Sequence, residues 1–181
     1  MKSTIILVLV SFIIMACNQE KEQANKSNSY NYLTLRTLIS KSKSINETVL
    51  YKKYSDENNT IYEYKTLDND STYFHFITKE LTNDNSILLY DQTCELIDTK
   101  VFNFKGVPIK VFKYLYDVND SIDEEHDYYF TNEYGVIFSK SIAWSYPWEF
   151  YNELELKPLQ DSILKNEEKF KSSFNFLRSS N

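Results

Sequence analysis

Residues 93–117, TCELIDTKVFNFKGVPIKVFKYLYD, contain the pattern that decides the fold. On either side of Lys105-Gly106, large aromatic side chains occupy alternate positions: Phe102 and Phe104 before it, then Phe112, Tyr114 and Tyr116 after it. A period of two is typical of a β-strand with one buried face. A short break that contains glycine suits a tight turn. The stretch therefore predicts two antiparallel strands, 93–104 and 107–117.

The same period recurs along most of the chain. Aromatic and β-branched residues, which favour strands, alternate with polar ones in six further segments: 48–55, 60–67, 71–79, 86–90, 127–131 and 135–142. The breaks between segments are rich in Asn and Asp, whose side chains hydrogen-bond to their own backbone in turns. Short strands joined by short turns predict an antiparallel meander of about eight strands.

Both ends of this region show a helical period instead. Apolar residues spaced by three and four predict an N-terminal helix over 31–43: Tyr32, Leu35, Leu38 and Ile39. Pro158 suits a first helical turn, and the apolar residues after it predict a C-terminal helix over 158–176: Leu159, Ile163, Phe170, Phe174 and Leu177. We therefore expect an α+β domain over 30–181, a curved antiparallel β-meander with an N-terminal and a C-terminal helix.

The start of the chain carries a different kind of pattern. Lys2 precedes an apolar run, Ile5 to Ile14, that is too short to span a membrane and suits a signal peptide. The tetrapeptide Ile14-Met15-Ala16-Cys17 resembles the lipobox of bacterial lipoproteins. The resemblance implies cleavage between Ala16 and Cys17, with lipidation of the Cys17 thiol. An ordinary cleaved signal, or a buried N-terminal strand or helix, are the alternatives.

The segment that follows suggests how the domain is attached. Residues 18–29 contain no large apolar side chain, which predicts a flexible tether that spans roughly 20 Å. The chain is thus divided into a signal peptide (1–16), a tether (17–29) and a single domain (30–181). By resemblance to Gram-negative lipoproteins, Asn18 implies the outer membrane. We expect a lipid-anchored protein of the cell envelope, with the membrane contacted through its N-terminal lipid.

Charge and glycine content argue against several function classes. The chain has 20 Lys and Arg residues against 26 Asp and Glu, a formal net charge of −6, and lacks the basic stripe that binds nucleic acid. Glycine occurs only at Gly106 and Gly135. Phosphate-binding loops, dinucleotide fingerprints and nucleophile elbows need closely spaced glycines, so none of them can be present. We predict no catalytic residue and no cofactor.

The sequence also gives little support for a metal site or a reactive thiol. His75 and His126 are the only histidines and lie far apart, so no short-spaced zinc pair exists. With Cys17 acylated, Cys94 has no disulfide partner, and it is predicted to be a buried core thiol. Residues 117–127 are acidic and could form an irregular calcium loop, but their spacing does not fit an EF-hand. A solvated turn is the favoured interpretation, and no metal site is predicted.

One aromatic segment, residues 143–151, is a candidate contact surface. Ser145 could cap a helix with Pro147 near its start, which would place Trp148 and Tyr151 on one side. Together with Trp144, these side chains offer the area that suits a carbohydrate, peptide or apolar ligand. The alternative is that both tryptophans close the end of the sheet as core residues.

Three functions remain open at this point. The first is a non-catalytic envelope lipoprotein that binds a protein partner or an apolar ligand through its aromatic-rich sheet. The second is an immunity or inhibitor protein that neutralises a toxin in the envelope. The third is a hydrolase that uses carboxylates brought together by folding.

Overall fold

The computed structural model describes residues 30–67, 72–117 and 125–173, with the side chains of 67 and 72–76 excepted. The predictions made for residues 1–29, including the signal peptide, the lipidation of Cys17 and the tether, lie outside this range. So do residues 118–124 of the acidic stretch and the two apolar positions Phe174 and Leu177 of the predicted C-terminal helix.

Ten antiparallel strands close into an up-and-down barrel, because each strand pairs with its neighbours in sequence and the first pairs with the last. The strands are β1 (Asn31–Ser40), β2 (Lys43–Ser55), β3 (Asn59–Leu67), β4 (Thr72–Glu80), β5 (Ser86–Leu89), β6 (Gln92–Phe104), β7 (Val107–Tyr116), β8 (His126–Thr131), β9 (Gly135–Ser141) and β10 (Trp148–Tyr151). Helix α1 (Glu153–Lys165) and a 3₁₀ turn (Glu167–Lys169) follow and pack on the outside. Within the described residues, no helix is both long and apolar enough to cross a membrane.

The predicted α+β meander is therefore wrong, although the eight predicted strands correspond in order to β2–β9. The N-terminal helix is replaced by β1: of the four residues whose spacing predicted the helix, Tyr32 and Ile39 are exposed, and Leu35 and Leu38 lie on opposite faces of the strand. Leu33 and Leu35 contact the barrel interior, whereas Leu38 packs against the cluster beneath α1 on the outside. A strand with apolar residues on both faces loses the simple period of two that marks a half-buried strand.

The C-terminal helix also differs from its prediction. It begins at Glu153 and ends at Lys165, so Pro158 lies in its second turn and not at its start. Leu154, the residue four positions earlier, is 86% exposed. Its carbonyl, which a helical proline leaves without an N–H donor, therefore lies in a solvated part of the helix. Because water can reach this carbonyl, the proline is tolerated in the second turn and does not mark the first.

The apolar residues form two separate cores. The barrel lumen contains the first: Leu35, Val49, Tyr62, Tyr64, Ile77, Ile87, Leu89, Cys94, Phe112, Tyr114, Tyr128, Phe130, Val136 and Tyr151. The second lies between the outer barrel wall and the C-terminal segment: Phe104, Ile109, Val111, Tyr129, Ile137, Phe138, Phe150, Leu156, Leu159, Ile163 and Phe170. A register shift in β6 between Leu96 and Asp98 exchanges the two faces, so that Phe104 packs outside while Cys94 packs inside.

Gln160 fixes helix α1 to the barrel wall. Its side-chain amide, 1% exposed, donates to the backbone carbonyls of Ile137 at 2.9 Å and Tyr151 at 2.8 Å. Ile137 is the extra residue of a bulge in β9, and Tyr151 ends β10. Gln160 thus supplies donors to two buried carbonyls at an irregular part of the sheet.

Candidate functional site

The two ends of the barrel are defined by their turns. An even number of antiparallel strands places the start of β1 and the end of β10 at the same end, together with the β2–β3, β4–β5 and β8–β9 turns. We call this the closed end. The other end, which carries the β1–β2 turn and the β9–β10 loop, is the open end.

A buried lysine fills the lumen at the closed end. The Lys79 ammonium lies 2.9 Å from a carboxylate oxygen of Asp84, and it donates to the side-chain oxygen of Asn132, also at 2.9 Å. It also lies 3.8 Å from the ring centroid of Phe112, within the range of a cation–π contact. Burial lowers the pKa of Lys79, while Asp84 opposes this shift.

Two tyrosine hydroxyls complete the closed end. Tyr114 donates to the backbone carbonyl of Asp84 at 2.9 Å, and Tyr62 donates to that of Asn132 at 3.1 Å. The ammonium and both hydroxyls therefore have partners, as buried polar groups require. We interpret this end as a structural plug.

The open end contains a cavity of about 410 Å³ inside the lumen. Its wall is formed by inward-facing residues of five strands: Leu35, Thr37, Glu47, Val49, Tyr64, Thr66, His126, Tyr128, Glu149 and Tyr151. Strand register brings them together, since Thr37 on β1 lies opposite Glu149 on β10, and Leu35 lies between Glu47 and Tyr151. The cavity therefore combines apolar and aromatic surface with two carboxylates.

The aromatic part of the wall is held rigidly. The rings of Tyr64 and Tyr151 meet edge to face at 5.3 Å, and Tyr51 packs on Tyr64 at 5.2 Å. The Tyr64 hydroxyl accepts a hydrogen bond from the Val136 backbone N–H at 2.8 Å. Burial raises the pKa of both Tyr64 and Tyr151 well above the ordinary tyrosine value, so these phenols are neutral at physiological pH.

The two carboxylates differ in their surroundings. Glu149 is half-buried, and one of its oxygens, Oε2, accepts hydrogen bonds from the Ser139 hydroxyl at 2.9 Å and the Tyr151 hydroxyl at 3.1 Å. Glu47 is exposed at the rim. Among the described residues, neither lysine nor arginine lines the cavity. These two hydrogen bonds to Glu149 thus come from hydroxyl groups, and His126 is the one nitrogen-bearing side chain of this wall among the described residues.

The other titratable residues singled out from the sequence fall in different places. His126 lines the cavity, with its ring 6.4 Å from that of Tyr128. His75 lies in β4 at the register position opposite Tyr64, and its side chain is outside the described part. Cys94 is fully buried, which confirms the prediction of a core thiol, and burial raises its pKa to about 12.

Metal binding finds no support in the described parts of the chain. No group of three or more His, Cys, Asp or Glu side chains there could hold a metal ion. The calcium alternative for 117–127 falls largely on residues 118–124, outside those parts. Asp127, at its end, is buried on the outer wall and forms an ion pair with Lys113 at 3.0 Å.

The predicted contact set of Trp144, Trp148 and Tyr151 is divided between two sites. The helix predicted there is wrong, because Trp148–Tyr151 is strand β10 and its first and last residues face opposite sides of the wall. Tyr151 lines the lumen cavity. Trp144, 57% exposed, and Trp148 line a separate outer cleft of about 740 Å³.

The floor of the outer cleft is a network of ion pairs and hydrogen bonds between the barrel wall and residues 167–173. Besides Lys113, Asp127 accepts a hydrogen bond from the Ser173 hydroxyl at 2.5 Å. The Lys113 ammonium also donates to the backbone carbonyl of Lys171 at 3.0 Å, and Lys140 pairs with Glu167. These charges already have partners, so the cleft is interpreted as structural.

Sequence reasoning missed most of the cavity wall, including Thr37, Glu47, Thr66 and Glu149. Each is a polar residue at an alternate position of a strand, a pattern that equally describes a solvated sheet face. Only barrel closure turns that face inward. Neither family models, nor curated proteins, nor solved structures match this chain.

Proposed function

We propose that this protein is a lipid-anchored envelope protein that binds a small molecule in the open-end cavity without catalysis. The observation that supports this proposal is the cavity itself. Its volume of about 410 Å³ lies within the range of small-molecule sites, which are roughly 300–1,000 Å³. Its mixture of apolar wall and a few polar groups is also typical of such sites.

The position of the cavity agrees with an anchor at Cys17. The chain enters β1 at the closed end, opposite the cavity mouth. A lipid on Cys17, connected through the predicted flexible tether of roughly 20 Å, would allow the mouth to face the aqueous phase. We therefore expect the ligand to enter from the aqueous phase, which favours a water-soluble amphiphile over a membrane lipid.

A hydrolase is the second candidate, because Glu47 and Glu149 line the same cavity. Two carboxylates flanking a scissile bond are the usual requirement for glycoside hydrolysis. The Glu149 carboxylate, however, already accepts hydrogen bonds from two hydroxyl groups, and Glu47 is exposed at the rim. This arrangement supports the hydrolase less well than ligand binding.

The binding proposal is tested by filling the cavity. Thr37→Trp places a large ring in the mouth, whereas Thr48→Trp, on the exposed outer face of the adjacent strand β2, adds the same ring outside the lumen. The wild-type protein and both variants are purified from the native host into lipid nanodiscs and analysed by native mass spectrometry, with thermal melting as the folding control.

We expect a bound mass in the wild-type protein and in Thr48→Trp that disappears on denaturation and is absent from Thr37→Trp. A wild-type protein that carries no additional mass, or an additional mass that persists in a folded Thr37→Trp variant, would contradict binding in this cavity.

A further inference from the structure

We propose that the ligand of the open-end cavity is an organic cation, an ammonium group joined to an aromatic or aliphatic body, and that Glu149 recognises its charge. This inference rests on the proposed function of the cavity and specifies its ligand class. It is argued from the charge of the wall, the hydrogen bonds of Glu149 and the aromatic surface beside it.

Several buried or half-buried carboxylates on the barrel are ion-paired, whereas Glu149, like Glu63 with the Tyr30 hydroxyl, is contacted by hydroxyl donors. Asp127 pairs with Lys113, Glu153 with Arg36 and Glu167 with Lys140. Glu149 accepts hydrogen bonds from two neutral hydroxyl groups, although it is half-buried. A half-buried carboxylate attracts a cation more strongly than a fully exposed one, because the effective dielectric constant around it is lower than in bulk water.

The hydrogen bonds of Glu149 orient its carboxylate so that one oxygen can accept a hydrogen bond from a cation. Both donors, Ser139 and Tyr151, bind the same oxygen, Oε2. They fix the orientation of the carboxylate, and Oε1 has no donor among the described residues. An ammonium group could supply a charge-assisted hydrogen bond to Oε1 without displacing an existing contact.

The rest of the wall suits the body of an organic cation. The rings of Tyr64, Tyr128 and Tyr151 offer aromatic surface, and cations bind favourably over such rings. Leu35 and Val49 provide apolar contact beside them. An anionic ligand would be repelled by the carboxylates, and a wholly apolar one would bury Glu149 without a charged partner.

The test compares three probes that differ mainly in charge: 2-phenylethylammonium, 2-phenylethanol and 3-phenylpropanoate. Binding to the full chain in nanodiscs of zwitterionic lipid is measured by calorimetry, with empty nanodiscs as the blank. We expect the ammonium probe to bind at least about tenfold more tightly than the alcohol. We expect no measurable binding of the carboxylate.

Glu149→Gln keeps a hydrogen-bond acceptor and removes the charge. We expect it to reduce the preference for ammonium over alcohol to less than about threefold, with binding of the alcohol unchanged. Glu57→Gln is the matched control, because it removes the same charge from an exposed turn at the closed end. It should retain the full preference. Thermal melting verifies that both variants are folded.

Each other outcome overturns a distinct statement. Equal binding of ammonium and alcohol would overturn the cation inference and leave the binding function intact. Loss of the preference in Glu57→Gln as well would overturn the role of Glu149. Failure of all three probes would overturn the cation inference, while the proposed function is decided separately by the bound mass in native mass spectrometry.

Discussion

At the closed end of the lumen the Lys79 ammonium is held between Asp84 and Asn132, whereas at the open end the Glu149 carboxylate accepts two hydroxyl hydrogen bonds and forms no ion pair among the described residues. Both groups project from the same barrel wall into the same lumen. A buried charge with a full set of partners stabilises a fixed structure, and one without a counter-charge remains available to a ligand. The two ends of one lumen therefore differ in how their charged groups are partnered, and the proposed binding site lies at the end without a described ion pair.

The largest expected effect is a loss of stability at high pH, because tyrosine hydroxyls are buried at both ends of the lumen. Burial raises the pKa of Tyr62 and Tyr114 at the closed end and of Tyr64 and Tyr151 at the open end. Unfolded tyrosine ionises near pH 10, so the stabilisation is complete below about pH 10 and is lost as the pH rises towards the folded values. Above about pH 10, each buried phenol lowers the free energy of unfolding by about 1.4 kcal/mol per pH unit, until the folded pKa is reached.

The protein should therefore unfold steeply between about pH 10 and about pH 12, as measured by urea denaturation followed with phenolate absorbance. Burial lowers the pKa of Lys79 and of Lys140, which acts in the opposite direction but involves two groups against at least four phenols. Ionisation of several phenols before any loss of β-structure would show that the open end is more hydrated than its geometry indicates.

A smaller effect is expected at the β8–β9 turn of the closed end, which contacts Tyr64 of the cavity wall. Gly135 has φ +74°, and a methyl group there would collide with the Tyr64 hydroxyl and lie 3.0 Å from a ring carbon of Tyr62. We expect Gly135→Ala to reduce the free energy of unfolding by about 3–4 kcal/mol, from backbone strain and displacement of Tyr64. Urea denaturation measures the loss.

Gly106→Ala is the matched control, since Gly106 has φ +82° but no atom within 4 Å of an added methyl group. We expect it to reduce the free energy of unfolding by about 1 kcal/mol, from backbone strain alone. Equal losses in the two variants would show that the contact between the closed-end turn and Tyr64 does not contribute.

The smallest of the three effects concerns the plug. Lys79→Ala removes the donor to Asn132 and leaves a space beside the Phe112 ring, so we expect a loss of about 2–3 kcal/mol in the free energy of unfolding. Lys110→Ala, which removes the other lysine on Asp84, should cost less than about 1 kcal/mol, because Lys110 is half-exposed. Similar losses in chemical denaturation would contradict a structural plug.

Much of the strand framework could be predicted from the sequence. The alternation in residues 93–117 and elsewhere predicts β2–β9 in order, and the position of Cys94 in a strand-like run without a disulfide partner predicts a buried thiol. These properties depend on neighbours within a few residues, which a period of two reports directly. The signal peptide, lipobox and tether stay predictions.

Closure of the barrel depended on the two strands that local patterns missed. In β1 both faces carry apolar residues, and β10 was interpreted as a helix because Ser145 and Pro147 precede its aromatic residues. Pairing of β1 with β10 joins residues more than 100 positions apart, as with Leu35 and Tyr151. Spacing along the chain carries no information about such a pair.

The sequence by itself thus determined where most strands run and which thiol is buried, because these follow from the local alternation of apolar and polar residues. Only the tertiary structure decided that Thr37, Glu47, Thr66 and Glu149 face a common cavity, since their convergence depends on register and closure. It also decided that Lys79 has a counter-charge and that Glu149 forms no ion pair among the described residues. That difference arises from contacts between distant segments, and it separates the plug from the proposed binding site.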